Sequence, residues 1–109
     1  MAAKIHRSGT SVITDMFPKG QVEFIHGETM TVNLWQFEQG CDVPPHQHPH
    51  EQIVHCLEGT FEVTVDGEVL VLGAGDSVVI PGGAEHAAHA RTASRGIDIF
   101  HPVREDYRR

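Results

Sequence analysis

The sequence predicts an all-β domain, an antiparallel sandwich or small barrel, and three observations carry that reading. Short runs with period-two patterning or dense β-branched residues recur along the chain. Between them sit clusters of Gly, Asp and Pro, the residues of tight turns. No segment carries a 3.6-residue apolar stripe of useful length, and many short, closely spaced strands pack as sandwiches or barrels.

The strand signals come in order as TMTVNLWQFE (29–38), QIVHCLEG (52–59), TFEVTVDGEVLVL (60–72), DSVVIPGG (76–83) and RGIDIF (95–100). Their separators are EQG, LEG, VDGE, GAGD and PGGAEH. Asp66-Gly67 is the clearest hairpin, because a two-residue Asp-Gly loop suits the turn whose twist matches its flanking strands. Neither a repeat nor a low-complexity segment interrupts the pattern. The expected organisation is an N-terminal arm over residues 1–20, a barrel over 21–103 and a solvated tail over 104–109.

At 109 residues the chain is expected to form one domain with one core and one site. The formal charge of −7 disfavours phosphate backbones, so nucleic acid is not an expected partner. Membrane is not expected either, since no apolar run approaches the length of a span. Cys41 and Cys56 are too few for a disulfide framework and MAAKIHRSGTSVITD has no signal-peptide core, so a cytoplasmic setting with reduced thiols is expected.

Nine histidines are dispersed through the chain, and three of them crowd into HQHPHEQ, residues 46–52. On a strand, residues of equal parity share a face and alternate positions stand about 6.5 to 7 Å apart. His46, His48 and Gln52 have equal parity. Two imidazoles so placed can lean onto one ion at about 2.0 to 2.2 Å, and Pro44-Pro45 stiffen their approach. A tight chelate needs a further ligand from elsewhere. His86 is the candidate, in IPGGAEHAAH, where a glycine-proline turn delivers a histidine onto a short strand.

The spacing then resembles a known family. Gly40, five residues, His46, one residue, His48, three residues, Gln52, six residues and Gly59 resemble the first cupin motif, with Gln52 where Glu is usual. Gly75, five residues, Pro81, one residue, Gly83, two residues, His86, three residues and Ala90 resemble the second, with Ala90 where Asn is usual. Fifteen residues, Thr60 to Ala74, separate the two motifs. The resemblance implies a double-stranded β-helix or jelly-roll barrel holding one divalent transition metal on His46, His48, Gln52 and His86. Zn, Ni, Mn, Fe and Cu all suit such ligands. A glutamine oxygen in place of a carboxylate leaves the ion its full dipositive charge, which draws anions more strongly. Glu51 lies one residue out of register and should face away, unless the Pro49-His50 bend resets parity and lets it compete.

The other side chains divide by parity. His50 falls in the bend, where a solvated or substrate-facing role is expected; His55 and His89 fall on the outer face; His101 is at the surface or the pocket rim. Cys56 is a core filler, about 13 Å along the strand from Gln52. In RGIDIFHPVREDY, Asp98 and Phe100 share one face and Ile97 and Ile99 the other, with Arg104 after a proline-bearing turn. An aspartate aimed into an apolar barrel either pairs with an arginine at the mouth or works in catalysis.

This tail, with HPHEQ and LEG, resembles the KdgF-like cupins of pectin and alginate degradation, whose pocket is lined by an Asp, a Phe two residues on and an Arg four beyond that. The matching positions are Asp98, Phe100 and Arg104. The resemblance implies ring opening of a 4,5-unsaturated uronate to its linear keto form: the metal polarises substrate oxygens, Asp98 shuttles a proton, Arg104 forks onto the carboxylate and Phe100 walls the ring. Two rivals stand beside it: a metal-dependent dioxygenase or isomerase on another small molecule, and a non-enzymatic ligand-binding or regulatory cupin. A homodimer is expected, with His55 and Trp35 among candidate contacts on an exposed sheet.

Overall fold

A computed structural model describes residues 2–10 and 13–108. Among the described residues ten strands form two antiparallel sheets. They are β1 (Ile13–Phe17), β2 (Gly20–His26), β3 (Thr31–Phe37), β4 (Asp42–His46), β5 (Glu51–Glu58), β6 (Phe61–Val65), β7 (Glu68–Leu72), β8 (Ser77–Ile80), β9 (His86–Ala90) and β10 (Ser94–His101), followed by a 3-10 turn, Glu105–Tyr107. The six-stranded sheet runs β1-β2-β3-β10-β5-β8 and the four-stranded sheet β4-β9-β6-β7. The fold is the expected jelly roll.

Every strand read from the sequence is present, including the short strand expected to carry His86, here β9, and β1, β2 and β4 appear in addition. β1 lies within the stretch assigned to the arm and pairs with β2, where Val22 and Phe24 turn inward. β4 holds two prolines, which central strands exclude; it survives because it is the edge of its sheet. The Asp66-Gly67 hairpin joins β6 and β7 as read, with φ of 46° and 83° at its two central residues.

Alternation places the core. Asn33, Trp35 and Phe37 on β3, Val54 and Cys56 on β5, and Phe61 and Val63 on β6 face inward and are buried. Trp35 stacks on Phe61 at 4.4 Å and on Phe37 at 5.1 Å, a contact geometry that adds to the area these rings bury. Trp35 is therefore a core residue, 3% exposed, and not the contact residue expected of it: its parity with Asn33 and Phe37 turns it into the barrel. Cys56 is fully buried, as expected of a filler. Gly96 opposes Trp35 across β10 and β3, and a Cβ there would strike the indole and the His55 carbonyl. Both cysteines are free thiols. No helix among the described residues is long and apolar enough to cross a membrane.

The tail also differs from expectation. Glu105, Asp106 and Arg108 are exposed, but Tyr107 packs on the core cluster and Arg104 is 4% exposed. An aromatic ring and a residue with a long aliphatic stem gain more by covering the barrel mouth than by solvation.

Candidate metal centre

His46, His48, Gln52 and His86 converge, although not by the parity that suggested it. His46 ends β4 in the four-stranded sheet, Gln52 lies on β5 in the six-stranded sheet, and His48 sits in the connection between them. The chain crosses from one sheet to the other here, so the two ends of HQHPHEQ face each other across the barrel interior. β9 then pairs with β4 so that His86 stands opposite His46. The two motif segments are tied directly: Gly83 N donates to His48 O at 2.8 Å, and a Cβ on Gly82 would collide with the Pro49 carbonyl. Only glycine permits that approach.

Each histidine is oriented by the carbonyl of a residue two positions away. His46 Nδ1 donates to Pro44 O at 2.9 Å, His48 Nδ1 to His50 O at 3.1 Å, and His86 Nδ1 to Ala84 O at 2.9 Å. A carbonyl can only accept, so each ring carries its proton on Nδ1 and presents the Nε2 lone pair inward. Among the described residues these three form a group whose candidate ligand atoms all lie within 4.8 Å of one another. His86 Nε2 is buried without any hydrogen-bond partner. His48 Nε2 faces Gln52 Oε1 at 3.0 Å, while the Gln52 amide bonds Asp98, so one acceptor confronts another. An orphaned lone pair and two opposed acceptors fit a cation between them.

Electrostatics agrees with this reading. Burial, then the Arg104 guanidinium and the His86 ring, push His48 down to about 4. Burial likewise lowers His86. Both rings are therefore neutral near pH 7, the form that coordinates metal. Glu51 is exposed, and Gln52, at 6% exposure, occupies the interior position.

Asp98 lines the same cavity. It opposes Asn33 on β3, two pairs along from Trp35, and its carboxylate accepts from Asn33 Nδ2 at 3.1 Å and Trp35 Nε1 at 3.0 Å. Burial outweighs these donors and raises it to about 7. Its partners are thus amides and an indole, not the arginine one alternative required. Asn33 and Trp35 had not been assigned to the site, although their shared parity in TMTVNLWQFE was visible. Phe100 is buried against the His48 ring, at 5.7 Å between centroids.

Arg104 lines the cavity with its fork already engaged: Nε donates to Asp106 Oδ1 at 3.0 Å and Nη2 to Asp106 Oδ2 at 2.7 Å. The expected two-point grip on a ligand from that edge is taken by the chain itself. Outside the site, His55 Nδ1 meets the Ser77 hydroxyl at 2.6 Å and His89 Nδ1 meets Asp42 at 2.6 Å, both on outer faces as read. His101 is exposed at the end of β10, and His50 stacks edge-on against His48 at 5.4 Å.

Residues 33–100 match the Cupin domain family. The chain is 34% identical over 73 residues to the pectin degradation protein KdgF of Dickeya dadantii (strain 3937), covering 65% of this chain and 66% of that one. It is 36% identical over 61 residues to the dimethylsulfoniopropionate lyase DddW of Ruegeria pomeroyi, covering 56% of this chain and 40% of the lyase. The structure of KdgF from Halomonas sp. superposes with a TM-score of 0.88 at 31% identity, over 96% of this chain and 98% of that one. With this match across nearly the whole barrel and a three-histidine centre inside it, the chain belongs to the cupin family and is KdgF-like.

Proposed function

We propose that the protein opens the ring of a 4,5-unsaturated uronate to the linear keto acid, using a divalent metal held by His46, His48, Gln52 and His86. The carrying observation is Asp98, a carboxylate raised to about 7 and aimed into the cavity of the three-histidine group. The KdgF relatives, whose name in one case states pectin degradation, support a sugar-acid substrate.

The reaction is an isomerisation with no atoms gained or lost. The anomeric hydroxyl gives up its proton, the bond from C1 to the ring oxygen breaks to leave an aldehyde at C1 and an enolate at C5, and the enolate takes a proton at C4 to become a ketone. A group titrating near the working pH serves both proton transfers, and Asp98 is that group. A bound divalent ion would supply Lewis acidity toward the substrate's oxygens. Phe100 and the core aromatics exclude water on one side, and Arg104 brings the positive charge that an acidic protein needs to hold a carboxylate.

We also propose a homodimer through the outer face that carries His55, without the buried Trp35. Val32, Ile99, Ile53 and Val79 lie side by side across β3, β10, β5 and β8 on the outer face, and Val79 is 57% exposed.

The test is elemental analysis of protein purified without a metal-affinity step, followed by the loss of unsaturated-uronate absorbance. Stoichiometric metal and acceleration that Asp98→Asn abolishes are expected. A rate no faster than the spontaneous one overturns the proposal, and oxygen uptake with turnover of another substrate replaces it with the dioxygenase.

A further inference from the structure

The Arg104–Asp106 pair straddles the wall of the barrel. The arginine side chain is 5% exposed and faces the cavity, whereas Asp106 is 55% exposed and lies outside it. The guanidinium sits between two rings, 4.8 Å from the Phe100 centroid and 4.2 Å from that of Tyr107. Ring faces fix the plane of the guanidinium but leave it free to turn within that plane. The two bonds from Asp106 remove that freedom, since a side-on fork has one orientation.

The turn that carries Asp106 is itself held in one arrangement. Tyr107 stacks on Phe24 at 4.5 Å, and its carbonyl accepts from His26 Nε2 at 3.1 Å. The other ring nitrogen, Nδ1, meets the Thr31 hydroxyl at 2.9 Å. That hydroxyl accepts in turn from Arg104 N at 2.8 Å. These contacts tie residues 104–107 as a strap from the end of β2 to the barrel mouth.

A guanidinium binds a carboxylate two-point through Nε and Nη2 or through its two Nη atoms. With Nε and Nη2 committed outward, Nη1 is the corner left for the cavity. We propose that Asp106 is a positioning residue for Arg104: it grips the outer edge of the guanidinium so that the Nη1 corner stays aimed at a carboxylate bound over the metal centre. This deepens the sugar-acid reading and rests on it. Asp106 touches no ligand; it sets the orientation of the group that does.

Because the missing partner is a carboxylate in an exposed position, it can be supplied from solution. The experiment measures binding of a saturated hexuronate, which cannot react, to the metal-loaded protein by calorimetry, beside turnover of the unsaturated uronate. Asp106→Ala is expected to weaken hexuronate binding about tenfold and to raise KM by a similar factor with kcat within about twofold, at unchanged metal content. Millimolar formate should restore much of the affinity in Asp106→Ala while weakening binding in the wild type, where it only competes. Asp106→Asn, which keeps one acceptor for Nε, should fall between the two.

Unchanged binding in Asp106→Ala overturns the inference, as does a loss that formate leaves untouched, which marks a merely structural role. Wild-type protein that fails to bind hexuronate overturns it too. Wild-type protein that binds hexuronate without turning over the unsaturated sugar refutes ring opening alone, and the formate response still decides the role of Asp106.

Discussion

Trp35 Nε1 and Asp98 Oδ1 lie 3.0 Å apart on neighbouring strands β3 and β10, an indole donor meeting a carboxylate inside the barrel. Asn33 supplies a second donor to the same carboxylate at 3.1 Å. Together they soften the cost of burial without cancelling it, and Asp98 remains raised to about 7. That balance gives a dependence of stability on pH. Between about 4 and 7 the native carboxyl keeps a proton that the unfolded chain has lost, so stability falls as pH rises through this window, by at most about 1.4 kcal/mol per pH unit. His48, lowered to about 4, acts in the opposite sense below 6.5, because the unfolded ring is protonated and the native one is not. The difference between wild type and Asp98→Asn isolates the carboxyl. Urea midpoints of the metal-free proteins from pH 4 to 8 should show Asp98→Asn gaining relative to wild type as pH rises and levelling above 7; parallel curves contradict the assignment.

Gln52 joins the two halves of the site, its oxygen toward His48 and its amide toward Asp98. Gln52→Glu adds a carboxylate ligand and removes a donor from Asp98. Chelator competition should show metal held at least about tenfold more tightly. Turnover at pH 7 should drop and recover at higher pH, because Asp98 is pushed further up. His86→Ala should lose metal under the same titration.

Gly96 leaves room for the indole that Asp98 depends on. Gly96→Ala drives a methyl into the Trp35 ring and the His55 carbonyl, at a cost of about 3 kcal/mol by overpacking. Chemical denaturation measures it, and a change under about 0.5 kcal/mol means that the strand pair yields more easily than the packing implies.

Val79 is 57% exposed beside the half-buried Ile53 on the outer sheet. If this face pairs two copies, Val79→Glu shifts light-scattering mass from dimer to monomer while metal content stays the same. A monomeric wild type removes the face from consideration.

Much of this was legible in the chain itself. Alternation placed Asp98 and Phe100 inside and Ile97 and Ile99 outside, because the side-chain period of a strand is two and needs no distant partner. The spacing of the two motifs named the three histidines and Gln52, since a ligand set constrains residue type at each position. What the linear order left undecided was who meets whom across sheets. His46 and Gln52 converge because the chain passes between sheets within HQHPHEQ, not because they share a strand face. Asn33 and Trp35 reach Asp98 through a register of β3 on β10 that joins residues 65 and 63 positions apart. Arg104 was read as a fork open to ligand and is engaged by Asp106, two residues on. Local periodicity is a property of the backbone and survives in the sequence; hydrogen-bond partners and the depth of a charge depend on which surfaces the fold closes over them, and only the assembled barrel decides that.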